Sequence, residues 1–266
     1  MSCEQCTQGY VLEGEPQGTM VGDAYLRAAS AEGPSKAAVV LLTDIFGLAL
    51  VNSKLIADEI SKRLQCDVWV PDLFAGSPPF REDELEPLMP QRVGESMSLW
   101  TKVRAGILLL SRAFRLYGVR AAVVDPRTTA FVEKIKAEKK YEKIGAVGYC
   151  FGGALAVRLG TGNVFDSVVI VHPGGVTEEQ IKAIKVPAAW ACAEQDMAFN
   201  KAARDQAEAI LAAKKDKPDA IEYEFVDYKG TVHGFGARPN LKIPEVATAF
   251  NAALDQTSNW FKKTII

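Results

Sequence analysis

From residue 36 onward the chain alternates between two hydrophobic patterns. Short continuous apolar runs (Ala37 to Thr43, Cys66 to Val70, Ile144 to Tyr149, Ser167 to Val171, Ala188 to Ala193, Glu222 to Tyr228) read as strands buried on both faces. Between them lie stretches with apolar residues every three or four positions, which predict helices over Ser53–Arg63, Ser96–Tyr117, Arg127–Lys140, Cys150–Gly160, Lys201–Lys214 and Pro244–Lys263. Pro71 stops the second strand, and residues 74–90, rich in Pro, Asp and Glu, predict an excursion over the surface. Such alternation predicts an α/β fold: a doubly wound, mostly parallel sheet with helices on both faces. No repeat and no low-complexity linker divides the chain, so residues 1–266 are expected to form one domain, with 1–20 as an N-terminal extension.

Composition narrows the function classes. Nearly half the 266 residues are hydrophobic (48%), enough for a sizeable core. Lys plus Arg (31) nearly balance Asp plus Glu (33) without a long block of either sign, so no nucleic-acid or membrane partner is expected. The basic run Lys134 to Lys143 is interleaved with Glu133, Glu138 and Glu142 and reads as a solvated helix face. The first residues lack the basic-then-apolar order of a secretory leader, and five cysteines in a chain this long fit a reducing compartment; the expected location is cytoplasmic. Cys3 and Cys6 form a C-x-x-C pair, but two histidines in the whole chain leave little from which to complete a zinc site. A redox pair would sit between strand and helix, not in a polar tail. Neither metal nor cofactor is expected.

The chemistry concentrates in Gly148-Tyr149-Cys150-Phe151-Gly152-Gly153, between an apolar strand and an Ala-rich helix. G-x-nucleophile-x-G describes a strand that turns abruptly into a helix, holding the nucleophile in a strained conformation that only small neighbours permit. A helix N-terminus beside the sulfur favours its anionic form. The plainer reading is a structural cysteine at a Gly-rich turn.

A thiol nucleophile needs a base in reach and a carboxylate to orient that base. Asp196 follows the run ending at Ala193, His233 follows the run ending at Tyr228, and the order Cys150, Asp196, His233 is that of α/β-hydrolases. Both fall at the carboxyl edge of the predicted sheet, where open α/β folds place their sites. Glu194 competes for the acid role. His172, in a His-Pro-Gly-Gly turn, is the other candidate base, but it precedes the acid and is read, with Tyr149, as lining the pocket.

With these residues in view, the chain resembles the dienelactone hydrolase family over about residues 20–263. Leu42-Thr43-Asp44-Ile45-Phe46-Gly47, Val70-Pro71-Asp72-Leu73-Phe74, the elbow, and the segments around Asp196 and His233 carry the likeness, and the N-terminal C-x-x-C resembles the fungal branch. The resemblance implies an α/β-hydrolase fold without a large lid domain, and hydrolysis of a small ester or lactone through Cys150, His233 and Asp196. It implies an oxyanion hole from the N–H groups of Phe151 and Ile45. Family members carry a glutamate before the Ile-Phe-Gly turn that meets the resting thiol; here Asp44 stands there, one methylene shorter. Arg81 and Arg204 are candidates, by region, for holding a substrate carboxylate. The enzyme is expected as a monomer or homodimer. The alternative is a small-molecule-binding protein on a hydrolase pocket that has lost its chemistry.

Overall fold

The structure is a computed structural model describing residues 10–30 and 35–266. Cys3 and Cys6 lie outside the described residues. Eight strands form one sheet: β1 (Thr19–Val21), β2 (Ala24–Arg27), β3 (Ala37–Leu42), β4 (Asp67–Pro71), β5 (Lys143–Tyr149), β6 (Ser167–Val171), β7 (Ala188–Gln195) and β8 (Tyr223–Val232). Their order is β1-β2-β4-β3-β5-β6-β7-β8. From β4 to β8 every neighbouring pair is parallel, while β2 joins β4, and β1 joins β2, antiparallel. The fold is that of an α/β-hydrolase with no large lid.

The apolar runs are buried because both faces of the sheet are covered; every residue of β3 is buried. On one face α1 (Asn52–Leu64) and the closing helix, Pro244–Thr264, pack Ile56, Ile60, Trp260 and Phe261 against the inward residues of β3 to β7. On the other, the helices over Ala121–Lys139, Phe151–Leu159 and Lys201–Ala212 contribute Val124, Leu155 and Ile210 to a core around Trp190.

Several expectations shift. The strands β1 and β2 escaped the reading because three and four residues are too short to show a period. The pattern over Ser96–Tyr117 becomes two helices, Leu99–Ser111 and Ala113–Gly118, separated by Arg112 alone. The first is capped by Ser98, whose hydroxyl accepts the Thr101 N–H at 3.0 Å. The next helix begins at Ala121 and runs through Pro126, ahead of the predicted Arg127, because burial of Val124 anchors its first turn. Within the surface excursion lies a short helix, Glu82–Leu85, and a further one, Glu178–Ala183, follows β6 under a capping box from Thr177. In chain order the helices are therefore α1, α2 (82–85), α3 (99–111), α4 (113–118), α5 (121–139), α6 (151–159), α7 (178–183), α8 (201–212) and α9 (244–264). Strand β8 continues four residues beyond Tyr228, which brings His233 directly to its end.

Candidate active site

The turn from β5 to α6 is as tight as the motif requires. Cys150 has φ +52°, a backbone conformation that side-chain-bearing residues seldom adopt. Its N–H donates to the Val171 carbonyl at 3.1 Å, and its own carbonyl accepts the N–H groups of Gly174 at 2.8 Å and Ala154 at 3.1 Å. A Cβ on Gly148 would stand 2.1 Å from the Gly152 carbonyl oxygen, and one on Gly152 2.1 Å from that of Leu42. Both glycines are thus steric necessities, the second because α6 begins against the end of β3. That contact is fixed by the Gly152 N–H donating to the Thr43 carbonyl at 3.0 Å. Phe151 opens α6, where a main-chain N–H has no intrahelical acceptor; Ile45 stands in the loop leaving β3.

Asp196 and His233 meet at the neighbouring strand ends. Nδ1 of His233 lies 3.0 and 2.9 Å from the two Asp196 oxygens. One of those oxygens also accepts the N–H groups of Ala198 (2.8 Å) and Phe199 (3.1 Å), which sets the carboxylate's orientation. Burial pushes the Asp196 carboxyl upward, but the hydrogen bond and charge of His233 outweigh it and hold the group below the usual carboxylate range. At His233 burial disfavours the charged ring; the influence of Cys150 and the hydrogen bond and charge of Asp196 prevail and raise the imidazole to about 10. Glu194, the rival acid, is engaged elsewhere: its carboxylate accepts the Gly230 N–H at 2.7 Å and tethers β8.

His172 is fully buried, with φ +34°, and packs edge-on against His233 at 5.0 Å and Phe235 at 5.5 Å, with Tyr149 at 6.0 Å. Burial first, and the charge of His233 second, hold it well below the ordinary histidine value, so it stands as a neutral ring against the His233 imidazole.

The arginines require a correction. Arg81 pairs with Asp83 on the surface at 2.8 Å. Arg204 is buried behind β7, giving its guanidinium to the carbonyls of Ala193 (2.7 Å) and Phe199 (3.3 Å) and pairing with Asp227 at 3.0 Å. Region alone suggested Arg204 as a carboxylate-holding candidate, and its guanidinium is engaged with these carbonyls and Asp227. Neither lines the cavity at His233. The cation beside the site is Arg238, in the loop after His233: Nη1 donates to Asp44 at 2.6 Å and Nε to Glu86 at 2.7 Å, all three residues being buried. Burial works against its charge, yet Glu86 and Asp44 outweigh burial and keep it cationic. Burial also pushes Asp44 upward, opposed by Arg238 and by the Phe46 N–H, which donates to it at 3.1 Å. The Asp44 carboxylate is therefore occupied by Arg238. Sequence reading missed both Arg238 and Glu86; the one available signal was an arginine five positions beyond the histidine in the same loop.

A cavity of about 220 Å³ opens beside His233, walled by Met89, Pro90, Met97 and Met197, with Lys102 and Glu95 charged beside the His233 ring. Its mostly thioether and aliphatic lining suits a small apolar group. Among the described residues no cluster of His, Cys, Asp and Glu could hold a metal, and no helix is long and apolar enough to cross a membrane.

A sharp strand-to-helix elbow carrying cysteine, with acid and histidine on the next strand ends, places the protein in the α/β-hydrolase class. Residues 23–265 match the model of the Dienelactone hydrolase family, and the chain belongs to that family. It is accordingly an enzyme that hydrolyses esters or lactones. It is 31% identical over 264 residues to Hydrolase tropI of Talaromyces stipitatus, covering 97% of this chain and 94% of that one. The human Carboxymethylenebutenolidase homolog is 28% identical, with 86% and 84% covered. Among solved structures, a putative dienelactone hydrolase from Klebsiella pneumoniae superposes with a TM-score of 0.66 over 90% of this chain and 92% of its own, at 15% identity, a likeness of fold.

Proposed function

We propose that the enzyme cleaves a small ester or lactone through a Cys150-His233-Asp196 triad and an acyl-enzyme. The observation that carries this reading is the bond of His233 Nδ1 to Asp196 at the sheet edge where Cys150, at φ +52°, turns β5 into α6. In the first step the sulfur attacks the carbonyl carbon, and the oxygen's developing charge is met by the N–H groups of Phe151 and Ile45. The tetrahedral adduct collapses to a thioester as His233 gives its proton to the departing alkoxide. Water then attacks the thioester carbonyl while His233 takes one of its protons. Release of the acid leaves an anionic sulfur beside a protonated ring, the starting state. Asp196 fixes the ring and stabilises its charge throughout.

The buried charge of Arg238 contributes at longer range, since a cation near Cys150 favours negative charge on sulfur and on the adduct. The name of the human relative, Carboxymethylenebutenolidase homolog, supports the substrate class. The methionine-walled cavity favours a small acyl or leaving group with limited polarity.

The test is Cys150→Ala with an activated aryl ester. Turnover and the acyl-enzyme burst should both vanish, a loss on the order of 10³-fold or more, with the circular dichroism spectrum unchanged. Parent-like turnover by that variant would falsify the triad.

A further inference from the structure

Helices α3 and α4 carry an apolar stripe that none of the described residues covers. Trp100, Val103, Ile107, Leu110, Phe114 and Tyr117 recur at steps of three and four, and each is between 42% and 88% exposed. The opposite side of the same helices is anchored: Leu108 and Leu116 pack on Phe46, Leu50 and Phe80, and Arg112 pairs with Glu84. The stripe is therefore held facing outward on a fixed base. Isolated exposed apolar side chains need no explanation, but a continuous stripe of six marks a contact surface.

We propose that this stripe is the seam of a two-fold homodimer in which α3 and α4 pair antiparallel with the same helices of a second copy. Alternating steps of three and four are the spacing of a coiled-coil seam, and the exposed Leu99 and Leu109 flank it. With the axis crossing between Leu108 and Leu109, Trp100 meets Tyr117 of the second copy, Val103 meets Phe114, and Ile107 meets Leu110. Every layer then pairs apolar with apolar, and the smallest seam residue lies against a large ring. A parallel arrangement would stack Phe114 on Phe114 and Val103 on Val103, layers of unequal width.

The residues flanking the seam agree with the antiparallel choice. On one flank Arg104 faces Ser111, and on the other Gly106 faces Ala113, so no cation confronts a cation there and the small residues let the backbones approach. The aromatic residues supply a large share of the area such a seam needs. Trp100, Phe114 and Tyr117 are 68%, 88% and 63% exposed, and aromatic side chains of roughly 150–250 Å² each already supply several hundred Å² toward the roughly 800 Å² that each partner gives a stable interface. The helix that pairs also begins at the cavity wall, where Met97 and Lys102 share the lining with His233.

Sedimentation equilibrium on the full chain at micromolar concentration should give twice the mass of one chain. Leu110→Glu and Phe114→Glu should each weaken association roughly thirtyfold or more; both sites are largely exposed, so near-UV spectra and turnover of a soluble ester should be retained. Oxidation of a mixture of Val103→Cys and Phe114→Cys chains should give a cross-linked heterodimer, with neither variant joining to itself. A monomer throughout, a dimer indifferent to both glutamates, or self-cross-linking of either cysteine variant overturns the proposal. So does a monomer that binds phosphatidylglycerol vesicles through the stripe, which would make the surface a lipid contact.

Discussion

Two buried charge clusters flank Cys150, and they are built from similar parts for different ends. On one side His233 and Asp196 pair a cation that can release its proton with a carboxylate that cannot leave it. On the other Arg238 stands between Asp44 and Glu86, a triad whose cation never titrates in the working range of a protein. The first cluster can move a proton at the sulfur; the second can only supply a fixed field and hold three chain segments together. On the proposed mechanism, identical chemistry of attraction yields a catalytic device where a histidine stands, and a structural and electrostatic one where an arginine stands.

Asp196→Asn separates the two most strongly. The amide keeps the shape but loses the charge that stabilises the imidazolium, and turnover should fall on the order of 10⁴-fold, about 5 kcal/mol of transition-state stabilisation, with little change in the urea midpoint. A variant as active as the parent would move Asp196 to the structural side of the comparison. Arg238→Met should show the reverse weighting. It leaves two carboxylates buried without their cation, and the urea unfolding free energy should drop by about 3–5 kcal/mol. An unchanged midpoint would mean that the triad is not buried as tightly as its 2.6 and 2.7 Å contacts state.

The smallest effect is read by pH. In the parent, the His233 ring should keep its proton through neutrality and lose it only near 10. Cys150→Ala removes the sulfur's charge and its hydrogen bond while burial remains, so the titration should move downward by at least about one unit, roughly 1.4 kcal/mol. Nitrogen NMR of the side chains can follow this, since the chain holds only two histidines and the buried His172 should stay neutral throughout. A titration that does not move would sever the coupling between sulfur and ring.

The contrast between the clusters is also a contrast in legibility. Cys150, Asp196 and His233 could be proposed together because each follows an apolar run, and a parallel sheet gathers the ends of its strands at one edge. Periodicity locates a strand end to within a few residues, which sufficed for Asp196. It did not foresee that β8 continues past Tyr228, because Lys229, Gly230 and Thr231 break the apolar run while the backbone ladder beside β7 carries on. The Arg238 triad had no such guide. Asp44 and Arg238 are 194 residues apart, Arg238 and Glu86 are 152 apart, and Glu86 stands in a stretch read as surface excursion. Arg204 shows the converse: its place in the chain made it a candidate, but the turn of α8 aims it at the carbonyls of Ala193 and Phe199 rather than at the cavity.

The sequence by itself determined the alternation that makes a parallel sheet, the glycines without which the elbow cannot close, and the strand ends where the reactive groups stand. These follow from local sterics and from the period of burial, which neighbouring residues carry on their own. Only the tertiary structure decided which carboxylate meets His233, which arginine lies beside Cys150, and that the stripe on α3 and α4 is left facing outward. Those outcomes depend on distances between segments far apart in the chain, and attraction between charges or apolar faces selects among partners only once the fold has brought them within reach.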